Sequence, residues 1–335
     1  MIDLNKGRIL VTGGAGFIGS ALVWALNKRG ITNILIVDLL RKDTKWKNLV
    51  SLKYEDYLEA EDFQELLALN PSQFSDVSLV FHLGACSATT EKDASYLVRN
   101  NFEWSKQLAQ WALSQEIRFV YASSAATYGG GELGMDDHIE NLHALRPLNM
   151  YGYSKHMFDL YAQKHEILNK LVGIKYFNVY GPNENHKGDM RSLVNKAYAQ
   201  ILKTGKVDLF KSYLPEYNDG EQMRDFLYVK DAVEMTIHLA ESEFAGGIYN
   251  LGSGEANTWV SLATAIFDAL NMKTKIEFID MPDDLKDKYQ YYTKASIDKL
   301  RSSGYEKEIF SLQNAVSDYV KNYLVPNLHL GDENS

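Results

Sequence analysis

The chain has 335 residues, 45% of them hydrophobic and 24% charged, a composition typical of a globular protein long enough for two domains. Its formal net charge is −9, which argues against nucleic acid as the main partner because phosphate binding needs a basic face. Cys86 is the single cysteine, so no disulfide can form within the chain, and no apolar run has the length of a membrane span. We therefore expect a cytoplasmic protein.

Short apolar runs alternate with helix-length amphipathic segments in the first half of the chain. The runs predict strands at Arg8–Thr12, Ile34–Asp38, 79–83, 119–121 and 174–177. Helical patterns lie between them, notably from residue 17 to about residue 27, over 96–115 and over 153–168. Buried strands that alternate with helices predict a parallel sheet covered on both faces.

The pattern changes after about residue 177. Helices are predicted over 191–203, from near Asp231 and over 261–270, with strands at 226–229 and 248–251. We expect a first domain of 1–177 plus about 226–253, and a smaller second domain of about 178–225 plus 254–330. The polar tail, 327–335, is expected to fray.

A glycine-rich segment joins the first predicted strand to the first predicted helix. It runs Thr12-Gly13-Gly14-Ala15-Gly16-Phe17-Ile18-Gly19. Glycines at 13, 16 and 19 allow a tight turn, a close approach to a pyrophosphate and close packing of helix on strand. The helix N-terminus then offers free N–H groups and the positive end of its dipole to the anion. In this strand–turn–helix context the motif predicts nucleotide binding.

An acidic residue ends the second predicted strand. Asp38 follows Gly19 by 19 residues, and a carboxylate at this place usually accepts hydrogen bonds from the adenosine ribose and favours NAD. Arg41, Lys42 and Lys45 follow, and these cations could instead hold the 2′-phosphate of NADP. The residues alone therefore leave NAD and NADP open.

Tyr151 and Lys155 lie four residues apart in a predicted helix and therefore share one face. A lysine beside a tyrosine lowers the pKa of the phenol, which a tyrosine base needs near neutral pH. Ser124 follows the strand predicted at 119–121, and a hydroxyl at the carboxyl end of such a strand faces the ligand crevice. Ser124 can hydrogen-bond a substrate hydroxyl while Tyr151 takes its proton. The structural alternatives are a small-residue turn and a chance Tyr–Lys spacing.

In this order along the chain, the glycines, Asp38, Ser124 and the Tyr151–Lys155 pair resemble the extended short-chain dehydrogenase/reductase family. The resemblance implies a Rossmann-type doubly wound parallel sheet with a smaller mixed α/β substrate-binding domain. It makes Ser124, Tyr151 and Lys155 catalytic, and it implies that Asn100 supports the helix and the cofactor pocket. Further residues of the implied cofactor site are Phe17, Ile18, Leu39, Lys45, Leu83, Gly84, Ala85, Cys86, Ser87 and Val179.

Segments 84–91, 121–130, 176–182 and 186–188 resemble the nucleotide-sugar epimerases of this family, in particular those that act on an ADP-linked heptose. The resemblance implies NADP as the cofactor, a homo-oligomer (a homopentamer) and redox-neutral epimerisation at C6 of a lipopolysaccharide inner-core precursor. It makes Tyr151 and Lys187 the two acid/base groups. The implied substrate contacts are Asn178 with the sugar, Arg224 with the diphosphate, and Phe210 and Tyr289 with the ADP.

The sequence departs from the family pattern around the implied diphosphate site. Four residues implied as substrate contacts there differ from the pattern or begin a longer polar segment, namely Asp189, Lys196, Lys211 and Ser212. These departures leave the individual diphosphate contacts open. Without the resemblance, Arg224 would be interpreted as a structural partner of Asp225.

Three other functions remain as alternatives. A nucleotide-sugar dehydratase of the same family is disfavoured, because Ala125 and Ala126 stand where such dehydratases carry an acidic pair. A UDP-sugar 4-epimerase would share the fold and the Tyr–Lys pair, and the sequence does not reveal which base the nucleotide of the substrate carries. A catalytically silent nucleotide-sensing protein would typically lack the tyrosine or the lysine. No metal site is expected, since the eight histidines are scattered and no His-Glu-x-x-His motif occurs.

Overall fold

A computed structural model describes residues 1–138, 140, 142–286 and 289–332. The strands are β1 (Arg8–Thr12), β2 (Ile34–Asp38), β3 (Asp56–Glu59), β4 (Val77–His82), β5 (Arg118–Ser124), β6 (Val172–Tyr176), β7 (Asn178–Tyr180), β8 (Val207–Phe210), β9 (Met223–Arg224), β10 (Phe226–Tyr228), β11 (Gly247–Leu251), β12 (Asn257–Thr258) and β13 (Ile276–Ile279). The helices are α1 (Phe17–Lys28), α2 (Ala60–Leu69), α3 (Ala94–Leu97), α4 (Trp104–Ser114), α5 (Met150–Lys164), α6 (Leu193–Thr204), α7 (Val229–Glu241), α8 (Trp259–Ala269), α9 (Asp283–Lys286), α10 (Asp298–Ser302) and α11 (Leu312–Tyr319). Within the described ranges, no helix combines the length and the apolar character needed to cross a membrane.

Seven of these strands form one parallel sheet in the order β11-β6-β5-β4-β1-β2-β3. The predicted doubly wound parallel sheet is therefore confirmed. The chain winds outward in one direction from β1 to β3 and in the other from β4 to β11. Strand order thus reverses between β1 and β4, and in folds of this kind ligands bind outside the carboxyl ends of the strands at that point.

The two faces of the sheet pack against different helices. Ile9 and Val11 of β1 belong to the apolar cluster that includes α1 and α7, whereas Leu10 belongs to the cluster that includes Phe63 of α2 and Leu108 of α4. All five of these side chains are fully buried. Continuous apolar strands are the expected signature of a sheet buried on both faces, and this is why β1, β2, β4, β5 and β6 were visible in the sequence.

A smaller mixed region lies beyond the carboxyl ends of the sheet strands. It contains the parallel pair β8–β13, the antiparallel pair β9–β12 and the contacting helices α6 and α8, with α11 against α8. These elements match the predicted mixed α/β part of the fold. The domain boundaries at 177, 225 and 253 stay a prediction.

The helix predicted over 96–115 is interrupted. Residues Val98–Glu103 form a π-helical segment between α3 and α4. A π turn holds an extra residue, so it shifts the side chains that follow to a different face of the helix. Asn101, within this segment, bonds to the loop at Cys86, as described below.

The polar tail does not fray as predicted over the part that the structure describes. Leu330 is fully buried, and the Leu328 amide donates to the Tyr323 carbonyl at 2.9 Å. The Asp332 carboxylate accepts hydrogen bonds from the Ser51 hydroxyl and from the His329 amide. The last three residues of the predicted tail, 333–335, lie outside the described residues.

Candidate active site

A cavity of about 1030 Å³ opens at the carboxyl ends of β1, β4, β5 and β6, beside the point where strand order reverses. It brings together most of the residues that the sequence predicted for the site. These are Gly13, Gly16, Phe17, Ile18, Gly19, Asp38, Lys45, Leu83, Gly84, Ala85, Cys86, Ser87, Ser124, Tyr151, Lys155, Asn178, Val179, Lys187, Lys196, Phe210 and Tyr289. Six predicted residues do not line it, namely Leu39, Asn100, Asp189, Lys211, Ser212 and Arg224.

The glycine-rich turn has no room for side chains. Gly13 adopts a φ of +71°, and a Cβ on it would lie 2.6 Å from the Gly84 amide nitrogen. A Cβ on Gly19 would lie 2.0 Å from the Gly13 carbonyl oxygen. Helix α1 begins after Gly16 without a side-chain cap, so its first amides face the cavity unscreened. This backbone cradle fits the pyrophosphate of a dinucleotide.

The carboxylate of Asp38 is held by three donors at the far end of the cradle. Its Oδ2 accepts from the Ala15 amide at 2.9 Å, and its Oδ1 accepts from the Leu39 amide at 2.7 Å. The Lys45 ammonium lies 2.6 Å from Oδ1 and neutralises the carboxylate. Leu39 thus contributes through its backbone and not, as its predicted role suggested, as a residue that lines the cofactor cavity.

Tyr151 and Lys155 lie on the first turns of α5, where the Asn149 side chain accepts from the Gly152 amide and caps the helix. The Lys155 ammonium donates to the Ala122 carbonyl of β5 at 2.8 Å. Burial lowers the pKa of Lys155 to about 8, and the nearby Asp159 carboxylate opposes this shift. Lys155 is therefore charged at neutral pH, but its pKa is not far above that pH.

The predicted lowering of the tyrosine pKa is not found. Burial raises the pKa of Tyr151, and a hydrogen bond with Ser124 partly offsets this effect. Ser124 ends β5 and is nearly buried, so it holds a fixed position against the tyrosine. Ser124 and Tyr151 thus lie side by side in the cavity, and the desolvation of Tyr151 outweighs its hydrogen bond with Ser124.

Lys187 enters the cavity from a 3₁₀ segment, Asn185–Met190, between β7 and α6. Its ammonium lies 5.2 Å from the centroid of the Phe17 ring, over the first turn of α1. Burial lowers the pKa of Lys187, and the Glu184 carboxylate opposes the shift. His186 beside it lines the same cavity, and burial lowers its pKa to about 4, so it is neutral at physiological pH.

The supporting role predicted for Asn100 belongs to the next residue. The Asn101 side chain accepts from the Cys86 amide and donates to the Cys86 carbonyl, both at 2.9 Å. It also donates to the Ser154 hydroxyl of α5 at 3.0 Å. Asn100 only donates to Asn101. Both asparagines lie in the π-helical segment, and residue 101 is the one whose side chain reaches the loop at Cys86.

Arg224, the predicted diphosphate clamp, contacts residues beside the cavity, and its role toward a diphosphate stays a prediction. Its guanidinium donates to the carbonyls of Met223, at 2.8 Å, and of Gln290. It also lies over the rings of Tyr289 and Trp259, at 5.0 and 5.8 Å from their centroids. An ion pair with Asp225 does not form either, because that carboxylate accepts from Ser253, Gly254 and Ala295.

The other predicted diphosphate contacts also lie away from the cavity. The Lys211 ammonium pairs with Asp280 at 3.2 Å, and the Ser212 amide donates to Asp219 at 2.8 Å. Asp189 offers its carbonyl to the Lys196 ammonium at 3.2 Å. Lys211 and Ser212 of the polar segment after Phe210 thus bond to residues outside the cavity. Residues that sequence reasoning missed line the cavity instead, including Arg191, Gln200, Asp208 and Trp259.

The comparison with known proteins agrees with this geometry. Residues 9–252 match the model of the NAD dependent epimerase/dehydratase family, and the chain belongs to that family. Its members share the nicotinamide dinucleotide that the glycine cradle fits. The ADP-L-glycero-D-manno-heptose-6-epimerase of Nitratidesulfovibrio vulgaris (strain DP4) is 50% identical over 315 residues, which cover 94% of this chain and 97% of the relative.

Two further relatives carry the same name. The enzyme of Fusobacterium nucleatum is 48% identical, over 94% of this chain and 98% of its own. The crystal structure of Helicobacter pylori ADP-L-glycero-D-manno-heptose-6-epimerase superposes with a TM-score of 0.78 at 26% identity, over 96% of this chain and 98% of that one. The sequence likeness extends over both the cofactor half and the substrate half of the chain.

Proposed function

We propose that the protein converts ADP-D-glycero-D-manno-heptose to ADP-L-glycero-D-manno-heptose by inverting C6 of the heptose. The observation that carries the proposal is the presence of two proton-transferring side chains, Tyr151 and Lys187, on separate walls of one cavity. Inversion through a ketone moves the C6 oxygen to a different place in each half-reaction. A proton donor or acceptor is therefore needed at both places.

In the proposed mechanism Tyr151 takes the proton of the C6 hydroxyl, with Ser124 holding both the phenol and the substrate oxygen. A nicotinamide dinucleotide, when bound, supplies reversible two-electron oxidation at C6, so epimerisation has no net redox change. Rotation about the C5–C6 bond of the 6-keto sugar then presents the opposite face of the carbonyl. Lys187 donates the proton to the oxygen in its new position. Lys155 orients the nicotinamide ribose and keeps a positive charge near Tyr151.

We infer that the cofactor is NADP and not NAD. Asp38 would repel a 2′-phosphate, but the Lys45 ammonium at 2.6 Å neutralises it and adds a donor at the same place. Two lone pairs of the carboxylate are already used by the Ala15 and Leu39 amides, which leaves less capacity for the ribose hydroxyls that NAD would offer. Nucleotide released from the purified protein by acid would identify the cofactor by mass.

For the substrate, we propose that Lys196 and Arg191 meet the diphosphate in place of Arg224. Both line the cavity, and Lys196 is exposed, with its ammonium donating to the Asp189 carbonyl. Phe210 and Tyr289 are apolar walls of the same cavity and suit a purine ring, while Asn178 faces the sugar from β7. Self-association of the chain, as the resemblance implies, stays part of the proposal and is tested by sedimentation.

The deciding experiment is incubation of purified protein with ADP-D-glycero-D-manno-heptose, followed by proton NMR of the C6 configuration. Appearance of the L-glycero epimer supports the proposal. No turnover after NADP⁺ and NAD⁺ have each been added would overturn it. A UDP-sugar substrate screened in parallel would then test the alternative of a 4-epimerase with the same fold.

A further inference from the structure

The C-terminal segment, residues 319–332, packs across the back of the turn that carries Lys187. Leu330 has no solvent exposure and lies in the apolar cluster with α1. Gly331 lies so close to Ser51 that a Cβ would be 3.0 Å from the Ser51 carbonyl oxygen. The chain end is therefore fixed against the cofactor half of the molecule.

One tether from this segment ends on Asn183. The Leu330 amide donates to Asn183 Oδ1 at 2.9 Å, and Asn183 Nδ2 donates to the Ser20 hydroxyl of α1 at 3.0 Å. The Asn183 carbonyl accepts from the Asn48 side chain at 3.1 Å. Asn183 is 2% exposed and has a φ of +74°. Its side chain thus joins the chain end, the cofactor helix and the beginning of the Lys187 turn.

A second tether ends on the next residue, Glu184. The buried Tyr319 hydroxyl donates to Glu184 Oε1 at 3.1 Å and accepts from Asn195 of α6 at 2.8 Å. Glu184 in turn accepts from the Ser192 hydroxyl at 2.6 Å, at the other end of the turn. The Lys187 amide donates to the Glu184 carbonyl at 3.0 Å. Both residues that precede the turn are therefore held by the C-terminal segment.

We propose that residues 319–332 act as a positioning strap for Lys187, with Asn183 and Tyr319 as the positioning residues. This inference rests on the proposed acid/base role of Lys187. Residues 319–332 do not themselves contact substrate. Proton transfer requires a donor within hydrogen-bond distance of the reacting oxygen, and loss of that contact removes about 10²- to 10⁴-fold in rate. Tyr151 lies on α5, which the strap does not hold. The strap therefore governs only one of the two half-reactions.

The test uses Asn183→Gly in the full chain, which keeps the positive φ accessible but removes both side-chain hydrogen bonds. Tyr319→Phe removes the second tether alone. Tyr228→Phe is the matched control, because its hydroxyl donates to Asp318 at 2.6 Å and so also bonds to α11, but away from the turn. Amide hydrogen exchange is measured without substrate, and the reduced nicotinamide absorbance is followed during single turnover of ADP-D-glycero-D-manno-heptose.

We expect faster exchange at the Lys187 amide in Asn183→Gly and Tyr319→Phe and unchanged exchange in the control. The rate of sugar oxidation should stay within about threefold of the wild-type rate, while the rate of reduction to the L-glycero epimer falls about tenfold or more. Reduced cofactor should therefore accumulate in these variants. Equal slowing of both half-reactions, or unchanged exchange at Lys187, would overturn the strap. A wild-type protein that does not turn over this sugar would reject the proposed function, and the exchange data would still test the tethers.

Discussion

Replacement of Lys45 by methionine should switch the cofactor preference of the protein. The Lys45 ammonium lies 2.6 Å from Asp38 Oδ1, and both side chains are mostly buried, at 16% and 8% exposure. A hydrogen bond to a charged group is worth about 1.5–3 kcal/mol, which corresponds to about 10- to 100-fold in affinity. The variant also leaves the Asp38 carboxylate uncompensated beside a 2′-phosphate. We therefore expect the Kd for NADP to rise about 10- to 100-fold or more, while the Kd for NAD changes by less than about threefold.

Titration of cofactor-free protein with each dinucleotide, followed calorimetrically, measures both constants. Lys47→Met is the matched control, because Lys47 lies on the same 3₁₀ turn but is exposed outside the cavity. In the double variant Lys45→Met/Asp38→Asn, removal of the carboxylate should restore part of the NADP affinity. The reasoning is refuted if NADP and NAD lose affinity equally in Lys45→Met, or if the wild type already prefers NAD.

Other predictions address the acid/base groups, the diphosphate site and the cofactor loop. Lys187→Ala should lower the epimerisation rate about 10²- to 10⁴-fold with unchanged NADP affinity, and a wild-type rate by NMR would exclude the two-base mechanism. Because the pKa of Lys155 is lowered to about 8, its charge is present below that pH and lost above it, so kcat/KM should fall as pH rises through about 8. A profile flat up to the ordinary lysine pKa would contradict this. Lys196→Ala should weaken ADP binding about tenfold by calorimetry, with Lys203→Ala at the other end of α6 as the neutral control. Asn101→Ala should lower the free energy of unfolding in urea by about 1–3 kcal/mol, and no change would show that its four side-chain hydrogen bonds are replaced.

The part of the fold that the sequence revealed is the part governed by short-range patterns. Strands β1 and β2 were predicted at their observed bounds because their apolar runs are continuous and end at turn residues. β3 was missed because it is an edge strand with exposed and half-buried residues, so it carries no such run. Sequence periodicity reports burial, and β3 has little of it, whereas β11 at the opposite edge is fully buried and was predicted.

The surroundings of individual site residues depend instead on contacts between distant parts of the chain. Arg224 ends on the carbonyl of Gln290, 66 residues away, and no local pattern encodes such a partner. Asn101 and not Asn100 holds the loop at Cys86, a contact across 15 residues that no sequence pattern shows. The tail is mostly polar, so composition predicted fraying, whereas the buried Leu330 and hydrogen bonds to distant residues hold it in place.

The bond from the Leu330 amide to Asn183 spans 147 residues, and it has a consequence for biosynthesis. Local and nearby contacts form before pairings between distant parts of a chain, and domains fold from the N-terminus as they leave the ribosome. The parallel sheet up to β6 and its glycine cradle can therefore assemble while the last residues are still being translated. The turn that presents Lys187 gains its final support only once residues 319–332 have been made, so the glycine cradle can fold before that turn is held in place.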